Sequence, residues 1–359
     1  MARQTRAIIN LSALEDNYEA MCAHAPNSKQ VVVVKANAYG NGAVEVAKKL
    51  DAKASMFAVA FLDEVFELRE AGIESPILVL QGPHEEHECE LTKHLNVVWM
   101  LHLEQQLNWV NKRIENGELT DDRHWVKFDT GMHRLGLPCA EYDELAKAYP
   151  HIFSANTVIT THLARADEPE IDDALTRTQS FLTLMANRHQ HFSIANSAGN
   201  IALPSAALDY NRMGISLYGS SPFENKQIVP NLKTVMTLES QVIAIREIDE
   251  GEAVGYGATW VAKRASRIAT VALGYADGYP RHAPSGTPAY FDGHIAKLVG
   301  RVSMDMLTFD VTDLDTVEVG TRVELWGEKL NINDVAKFVG TIAYELMTRV
   351  SARVPRVYR

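Results

Sequence analysis

The sequence predicts an α/β protein in which an N-terminal (β/α)8 barrel of the TIM type is followed by a C-terminal, mostly antiparallel β domain. Two observations predict the barrel. Short apolar runs alternate with segments of helical periodicity, as in a parallel sheet, and eight such runs occur before the pattern changes. The third observation predicts the second domain, because β-rich runs separated by glycine turns replace this alternation after about residue 230.

The candidate barrel strands are short and rich in β-branched residues. In chain order they are VVVVK (31–35), MFAVA (56–60), PILVL (76–80), NVVWM (96–100), HWVKFD (124–129), TVITTHL (157–163), HFSIAN (191–196) and MGISLY (213–218). Helical periodicity is clearest at 61–71, 103–115 and 172–188. A doubly wound open sheet is the alternative fold, but its first βα turn usually carries a glycine fingerprint. The turn at 35–42 lacks one.

The later part of the chain predicts the second domain. Its candidate strands are 238–248, 267–273, 296–302, 306–311 and 322–326, with a short helical stretch near 331–339. We therefore predict domains at 1–230 and 231–359, with residues 1–10 as a candidate strand of the second domain. Because no low-complexity linker separates them, we expect the two domains to pack closely.

Composition limits the classes of partner and compartment. The chain has 359 residues, is 46% hydrophobic and carries a net charge of −11 without a compensating basic run, which argues against nucleic acid and anionic membrane as partners. Three isolated cysteines provide neither a disulfide framework nor a thiolate metal site, and they suit a reducing compartment. We find no signal-peptide pattern or membrane span, so we expect a cytoplasmic protein.

Lys35 closes the valine run of the first predicted strand. Desolvation at a buried strand end lowers the pKa of a lysine, and a neutral amine can form a Schiff base. A lysine that reaches solvent from the strand end is the alternative. Further predicted strands end on polar residues, and barrel enzymes place their chemistry at these ends. They are Lys127 with Asp129, His162 with Arg165, and Asn196 with Ser197.

Two small-residue turns, 197–200 and 213–215, leave late segments of the predicted barrel. Backbone N–H groups in such turns can approach an anion, and phosphate binds most often after the seventh and eighth strands of a barrel. A phosphate site together with a Schiff-base lysine favours pyridoxal 5′-phosphate (PLP) as cofactor. We predict no metal site, because HEEH at 84–87 lacks the spacing of a zinc helix.

Motifs distributed over nearly the whole chain resemble those of the alanine racemase family, whose members combine a PLP-binding barrel with a β domain. The motifs are VKANAYG (34–40), DTGMHRLG (129–136), THLARAD (161–167), NSAG (196–199), RMGI (212–215), GYGATW (255–260), GRVSMDM (300–306) and YELMTRV (344–350). They occur in the order found in the family. The resemblance implies an isomerase that interconverts L-alanine and D-alanine.

The resemblance also implies how PLP is held. Lys35 would bind the cofactor covalently, and Arg212 would face the pyridine nitrogen. Because arginine stays protonated in proteins, it would leave that nitrogen largely unprotonated and limit side reactions such as transamination. The other residues that the resemblance places around the cofactor are Tyr39, His162, Asn196, Ser197, Gly214, Ile215 and Tyr344.

Racemisation requires two acid–base groups on opposite faces of the substrate Cα. By the resemblance these are Lys35 and Tyr256, and Tyr256 would come from the partner subunit of a homodimer with shared active sites. A free tyrosine has a pKa of about 10, so we expect His162 and Arg212 to belong to the network that tunes it. A tyrosine merely packed in a glycine-rich turn is the alternative for Tyr256.

Substrate recognition is implied for residues of both domains. Arg134 would anchor the alanine carboxylate, as suits a bidentate arginine, and the backbone N–H of Met304 would make a second contact beside Asp305. Lys127 matches a lysine that is carbamylated in many family members. A carbamate there would convert a cation into an anion able to orient Arg134.

Several alternatives to alanine racemisation stay open. A racemase of broader specificity that acts on serine fits the same motifs. A non-catalytic PLP-binding barrel would lack residues 231–359, and a decarboxylase of related fold typically has a reactive cysteine in its β domain. All three cysteines here precede residue 140. The sequence does not decide between supply of D-alanine for peptidoglycan and catabolic use of alanine.

Overall fold

A computed structural model describes residues 3–168, 173–186, 188–189, 191–223 and 231–359. Its first part is a barrel of eight parallel strands, in the spatial order β10-β2-β3-β4-β5-β6-β8-β9. These strands are β2 (Lys29–Val33), β3 (Met56–Val59), β4 (Ile77–Val79), β5 (Val97–Leu101), β6 (His124–Asp129), β8 (Val158–Thr160), β9 (His191–Ser193) and β10 (Tyr210–Met213). The predicted barrel is confirmed.

The two ends of this strand order meet, because the backbone N–H of Arg212 in β10 donates to the carbonyl of Ala195, just after β9 (3.0 Å). A short strand, β7 (Leu137–Pro138), pairs with the end of β6. The expected eighth strand at 213–218 is wrong, since β10 ends at Met213 and the chain then turns. Gly214 lies between β10 and this turn, and it lines the cavity at the barrel mouth.

Helices cover the outside of the barrel and lie between its strands. The helices of the described chain are Leu11–His24, Ala43–Leu50, Leu62–Glu70, Thr92–Leu95, Glu104–Glu115, Tyr142–Ala148, Asp173–Met185, Ser197–Ala202, Ile332–Val339 and Ala343–Arg349. Side-chain caps fix several of their starts: Asn10 accepts from the N–H of Ala13 (2.9 Å), and Asn196 from that of Gly199 (2.9 Å). Residues 172 and 187 of the helix expected at 172–188 lie outside the described residues.

The second part of the chain forms a largely antiparallel sheet in the order β14-β17-β16-β15-β18-β11-β1-β19, with β14 also paired to β11. Its strands are β1 (Arg6–Ile9), β11 (Met236–Ile248), β14 (Ser266–Val271), β15 (Pro288–Phe291), β16 (His294–Leu298), β17 (Leu307–Asp310), β18 (Arg322–Trp326) and β19 (Arg356–Tyr358). A separate hairpin joins β12 (Ala253–Val254) to β13 (Trp260–Val261). The antiparallel β domain is therefore confirmed.

Both chain ends tie the β sheet to the barrel. β1 pairs antiparallel with β11 and parallel with β19, so the first strand of the chain lies in the second sheet. From β19, Nε of Arg356 donates to the carbonyl of Gly40 (3.0 Å), next to the barrel mouth. The last helix, Ala343–Arg349, contacts the turn that follows β2. The C-terminal part of the chain thus contributes to the wall of the barrel mouth.

The core is apolar and continuous across both sheets. Val31–Val34 are almost fully buried, as a strand covered on both faces requires. The three cysteines are free. In the described part of the chain, no helix has the length and apolar character needed to cross a membrane, and no cluster of three metal-ligating side chains occurs.

Candidate active site

A cavity of about 830 Å³ opens at the carboxyl ends of the barrel strands. Most of the site residues expected from the sequence line it, and they come from widely separated parts of the chain. They are Lys35, Tyr39, Lys127, Arg134, His162, Asn196, Ser197, Arg212, Gly214, Ile215 and Tyr344. The carboxyl ends of barrel strands meet at one rim, which explains why strand ends predicted this set.

Lys35 opens a left-handed turn, Lys35–Tyr39, in which residues 36–39 all have φ between 51° and 54°. This conformation costs L-residues about 1–2 kcal/mol each, so outside contacts must stabilise it. A carboxylate oxygen of Glu64 accepts from the N–H of Ala36 (2.6 Å), and the side chain of Asn37 accepts from a backbone N–H of the next helix (2.7 Å). The position of Lys35 is therefore fixed by tertiary contacts of its own turn.

Four cationic side chains line the cavity: Lys35, Lys127, Arg134 and Arg212. Burial lowers the pKa of Lys35, and the charges of the two arginines act in the same direction. Burial, with the charges of Arg212 and Arg134, lowers the pKa of Lys127 to about 8. Glu345 is the one carboxylate among the described lining residues, and it pairs with an arginine of its own helix (2.9 Å). The cavity therefore favours anionic ligands.

Arg212 and His162 form one hydrogen-bond network. Nη1 of Arg212 donates to the carbonyl and hydroxyl oxygens of Ser193 (2.9 and 2.6 Å) and to Oγ1 of Thr160 (3.1 Å), while Nη2 donates to the carbonyl of Thr161 (2.7 Å). Nη2 also donates to Nδ1 of His162 (3.2 Å). Because arginine can only donate, Nδ1 accepts and the imidazole proton is on Nε2. Burial and the Arg212 charge hold the pKa of His162 well below its usual value.

Two donors of this network have no acceptor in the described residues: Nε of Arg212 and Nε2–H of His162. The Nδ2 group of Asn196 lies 3.5 Å from Nε2 of His162, but both groups are donors, so this contact is not a hydrogen bond. Burial lowers the pKa of Arg212 to about 10, which leaves the guanidinium charged at neutral pH. Both donors are available to a ligand that carries acceptor atoms.

Ser197 and Gly214 shape a small polar recess of the cavity. The hydroxyl oxygen of Ser197 accepts from the backbone N–H groups of Gly214 (3.0 Å) and Ser216 (3.3 Å). A Cβ atom at position 214 would stand 2.8 Å from the hydroxyl oxygen of Tyr39, so glycine keeps this space open. Burial raises the pKa of Tyr39 to about 12, and its hydroxyl, without a partner in the described chain, stays able to donate.

Tyr344 approaches the same recess from the C-terminal part of the chain. Its ring centroid lies 5.8 Å from that of Tyr39, which in turn lies 4.9 Å from the ring of Tyr218. The hydroxyl of Tyr218 donates to the carbonyl of Val33 (2.7 Å) and so anchors this aromatic group to β2. Burial raises the pKa of Tyr344. The recess is thus surrounded by the hydroxyl groups of Tyr39, Ser197 and Tyr344.

Tyr256, Met304 and Asp305 do not line this cavity within the single chain. They lie on loops of the β domain, where the side chain of Tyr256 is 68% exposed and that of Met304 is 53% exposed. Arg353 donates to a carboxylate oxygen of Asp305 (2.7 Å). The structure therefore separates the expected site residues into a barrel set and an exposed set.

Sequence reasoning missed several residues of the cavity. Leu80, Gln81 and Met100 line its wall, and the buried Ser216 supports the lining residue Ser197, to whose Oγ its hydroxyl donates (3.0 Å). Ser216 could have been found from its position directly after the 213–215 turn. The apolar wall residues carry no signal of their own, because they belong to ordinary strand ends. Arg165, expected at a strand end, pairs instead with Glu168 (2.6 Å).

Comparison with known proteins gives one consistent result. The family model described as "Alanine racemase, N-terminal domain" matches residues 9–222, and "Alanine racemase, C-terminal domain" matches residues 235–358. An alanine racemase of Alteromonas mediterranea is 45% identical over 100% of this chain and 99% of its own length. A catabolic alanine racemase of Pseudomonas putida is 41% identical over 99% of each chain.

Solved structures agree with these matches. The biosynthetic alanine racemase of Pseudomonas aeruginosa superposes with a TM-score of 0.91 at 41% identity, over 99% of both chains. An alanine racemase of Bartonella henselae, described with covalently bound pyridoxal phosphate, superposes with a TM-score of 0.91 at 32% identity, over 100% of both chains. The likeness therefore extends through both sheets.

Proposed function

The chain belongs to the alanine racemase family, and on that premise we propose that it interconverts L-alanine and D-alanine with PLP as cofactor. The observation that carries the proposal is the cavity at the barrel mouth. It brings Lys35, an amine of lowered pKa, together with a recess in which the hydroxyl groups of Ser197, Tyr39 and Tyr344 have no acceptor in the described chain. An isomerase of this kind needs both features.

The residues present fit PLP. A phosphate group carries two negative charges or nearly so, and the recess of Ser197, Tyr39 and Tyr344 offers donors that have no acceptor in the described chain. Gly214 fits this role, because a Cβ atom there would stand 2.8 Å from the Tyr39 hydroxyl oxygen and crowd that donor. At the other end of the cavity, Nε of Arg212 is left as a donor for a ring nitrogen. We propose that His162, Asn196 and Ile215 complete the cofactor contacts.

When bound, PLP withdraws electrons from the substrate Cα and so makes its proton removable. In our proposal Lys35 holds the cofactor covalently and, once displaced by the substrate amine, moves a proton at one face of Cα. Its lowered pKa favours the neutral amine that both roles need. The short left-handed turn holds the Cα of Lys35 in place, which limits the proton transfer to one face.

We propose that Tyr256 moves the proton at the opposite face and that it does so in the cavity of a partner subunit. Its 68% exposure in the single chain supports this arrangement, because a large aromatic side chain left in solvent is available to a partner. Nearby, the loops of Tyr275 and Met304 are joined by backbone hydrogen bonds of 3.0 Å and expose Tyr275, Met304 and Met306. Such an apolar patch favours an interface, here that of a homodimer.

Substrate carboxylate binding is proposed for Arg134, with the N–H of Met304 and the neighbouring Asp305 contributing from the partner. Arg134 lines the cavity and has no hydrogen bond or ion pair to any described residue, so its guanidinium is free for a bidentate contact. We propose that Lys127 becomes carbamylated. Its pKa of about 8 leaves part of the amine neutral at physiological pH, and only a neutral amine can add to carbon dioxide.

The biological setting is also a proposal. The chain is 41% identical both to a biosynthetic and to a catabolic relative, so identity does not separate the two roles. We propose that the protein acts in the cytoplasm and supplies either D-alanine for peptidoglycan or L-alanine for catabolism; a deletion strain that requires D-alanine for growth would favour the first role, and one that fails to grow on D-alanine the second. Action on serine is the second candidate substrate range.

We also propose that the chain divides into domains at 1–230 and 231–359. Expression of each part alone would test whether each folds by itself.

The function is tested with the purified protein without added cofactor. We expect a yellow protein that interconverts L- and D-alanine and whose colour is lost on borohydride reduction, with the added mass on a peptide containing Lys35. A colourless protein would contradict the cofactor assignment. A yellow protein without racemase activity would indicate a PLP-binding barrel instead.

The second base is tested separately with Tyr256→Phe. This variant should keep the cofactor colour while the exchange of the Cα proton of L-alanine with deuterated water falls by about 100-fold or more. Tyr290→Phe, on β15 of the same domain and outside the cavity lining, is the matched control and should exchange at a rate close to the wild type. Normal exchange in Tyr256→Phe would rule out the assigned role.

A further inference from the structure

The loop that carries Arg134 is built around one carboxylate. It runs from Asp129, the last residue of β6, to Pro138 in β7. Three of its residues have positive φ: Gly131 at 124°, His133 at 55° and Gly136 at 137°. Among these, His133 is in a left-handed conformation that L-residues adopt at a cost. A loop with this backbone needs internal contacts to keep one shape.

Asp129 supplies those contacts. Its Oδ1 atom accepts from the backbone N–H groups of Gly131 (2.9 Å), Met132 (3.0 Å) and His133 (3.1 Å). Its Oδ2 atom lies 3.2 Å from Nδ1 of the His133 ring. Burial opposes ionisation of this carboxyl, yet the three N–H donors and His133 together lower the pKa of Asp129. The carboxylate therefore stays charged, and both of its oxygens contact groups of the loop itself.

The end of the loop returns to the same residue. β7 pairs with β6 through Leu137 and Pro138, and the thiol of Cys139 donates to the carbonyl of Asp129 (3.2 Å). A Cβ atom at Gly136 would lie 2.5 Å from the backbone nitrogen of Asp129, so the chain passes closely over it. Both ends of the loop are thus fixed at Asp129, and Arg134 lies between them.

Arg134 itself receives no such support. It lines the cavity, but it forms no hydrogen bond or ion pair within the described ranges. A long arginine side chain loses rotamer freedom when it binds a ligand. If the backbone that carries it is already ordered, binding does not also have to order the loop. The Cα of Arg134 is held in place by the loop backbone, and Asp129 orders that backbone through its three N–H contacts.

We propose that Asp129 is a positioning residue for substrate carboxylate recognition, acting through Arg134. This inference rests on the proposed role of Arg134 and adds to it a residue that touches neither substrate nor cofactor. Without the carboxylate, three N–H groups lose their acceptor and the left-handed conformation at His133 loses its compensation. The loop then samples other conformations, and the guanidinium of Arg134 is less often in position to bind the substrate carboxylate.

The test uses the holoenzyme and four variants: Asp129→Ala, Asp129→Asn, Arg134→Ala and the double variant Asp129→Ala/Arg134→Ala. We expect Asp129→Ala to raise KM for L-alanine about tenfold to a hundredfold, while kcat changes far less and the cofactor absorbance stays unchanged. Asp129→Asn keeps an acceptor oxygen in place and should recover part of the loss. Asp121→Ala, before the other end of β6, is the matched control and should behave as the wild type.

The double variant decides whether Asp129 acts through Arg134. If it does, Asp129→Ala adds little to the KM increase of Arg134→Ala. Additive losses would overturn the inference. An unchanged KM in Arg134→Ala would contradict the proposed carboxylate role itself, whereas a raised KM in Arg134→Ala with a normal KM in Asp129→Ala would contradict only the positioning role.

Two measurements besides turnover complete the test. Propionate, which has the carboxylate of alanine without its amine, should bind more weakly to Asp129→Ala by the same factor in calorimetry. Amide hydrogen exchange in peptides covering 131–133 should speed up in Asp129→Ala, because these N–H groups lose their acceptor. Unchanged exchange would overturn the inference. Should Asp129→Ala fail to fold, Asp129→Asn still reports on both quantities.

Discussion

Arg212 contributes both to the stability of the barrel and to ligand binding in the cavity. It brings a full charge into the barrel, and its guanidinium is offset by oxygen atoms of Thr160, Thr161 and Ser193. Those contacts use both terminal nitrogens and leave Nε for a ligand. The planar fork of arginine meets this geometry, whereas the three donors of a lysine ammonium converge on one point.

We predict that Arg212→Lys lowers the free energy of unfolding by about 2–4 kcal/mol, because several buried oxygens lose their donor. Denaturant unfolding followed by circular dichroism measures this. Arg246→Lys, an exposed position on β11, is the control and should stay within about 0.5 kcal/mol of the wild type. Equal stability of the two variants would show that the fork geometry of Arg212 does not matter.

Lys127 gives the cavity a pH dependence whose sign follows from its pKa. The pKa is about 8 in the folded chain and about 10.4 in an unfolded one, so the unfolded chain binds more protons between these values. In buffer freed of carbon dioxide, the unfolding free energy of the wild type should therefore rise relative to Lys127→Met from about pH 8 to pH 10. Parallel pH profiles of the two proteins would contradict this.

Carbamylation of Lys127 would remove that buried cation. With ¹³C-labelled bicarbonate near pH 8, we expect a carbamate carbon signal in the NMR spectrum of the wild type that Lys127→Met lacks. Bicarbonate should also reduce the stability difference between the two proteins, because the carbamate anion is stabilised by the neighbouring arginines. A spectrum without the carbamate signal would show that the amine stays unmodified.

The sequence predicted most chemical residues of the cavity but not how two of them are positioned. Lys35 and His162 were found because polar residues at strand ends stand out from apolar runs. The pairing of His162 with Arg212 was not readable from spacing, since it depends on how β8 and β10 meet across the closed barrel. The geometry of Tyr256 likewise depends on contacts outside one chain.

At the scale of elements, the left-handed turn Lys35–Tyr39 is the feature that pattern reasoning could not provide. Its residues include no glycine, and local propensity alone disfavours positive φ for alanine and tyrosine. The turn exists because Glu64 and the last helix contact it from outside and because its own Asn37 accepts from the backbone N–H of Ala43 in the next helix. The eighth strand was misplaced for a related reason, because the apolar residues after Gly214 pack in a turn rather than a strand.

Gly40 connects this turn to the last helix, which carries Tyr344. Its φ is +80°, and a Cβ atom there would lie 2.2 Å from the carbonyl oxygen of Met347. We predict that Gly40→Ala displaces the helix Ala343–Arg349, lowers the unfolding free energy by more than about 2 kcal/mol and weakens cofactor retention. Thermal unfolding and the cofactor absorbance after dialysis measure the two effects.

Gly72→Ala is the matched control for this substitution. Its φ is +86°, but no atom lies within 4 Å of the added Cβ, so only the backbone cost of about 1 kcal/mol applies. It should keep its cofactor. If both variants lose the cofactor equally, the close approach of Gly40 to the last helix is not what holds Tyr344 in place.

At the scale of the whole molecule, charge is distributed unevenly. The chain carries a net charge of −11, yet the cavity collects four cations and one paired carboxylate. Composition argued against nucleic acid and anionic membrane as partners, but it did not show this cationic cavity, because the four residues are far apart in sequence. The fold places them together, so the cavity is lined by cations although the chain as a whole has a negative net charge.

The division of the site residues into a barrel set and an exposed set leads to a prediction about subunits. If Lys35 and Tyr256 act together only across two chains, Lys35→Ala and Tyr256→Phe are each inactive alone. Mixed dimers pair the intact Lys35 of one chain with the intact Tyr256 of the other, which gives one functional site per mixed dimer. With random exchange, about half of the dimers are mixed, and activity should recover to about a quarter of the wild-type value.

The experiment denatures and refolds the two variants together, or coexpresses them with different tags and isolates the doubly tagged dimer. The control mixes Lys35→Ala with Lys35→Arg, in which no chain offers the intact amine, and should stay inactive. Recovery of activity requires both complementary variants in one dimer. Size-exclusion chromatography of the same sample measures whether the protein is a dimer. Doubly tagged dimers of Lys35→Ala and Tyr256→Phe without activity would show that the two groups act within one chain, whereas an active Tyr256→Phe variant alone would show that Tyr256 is not the second base.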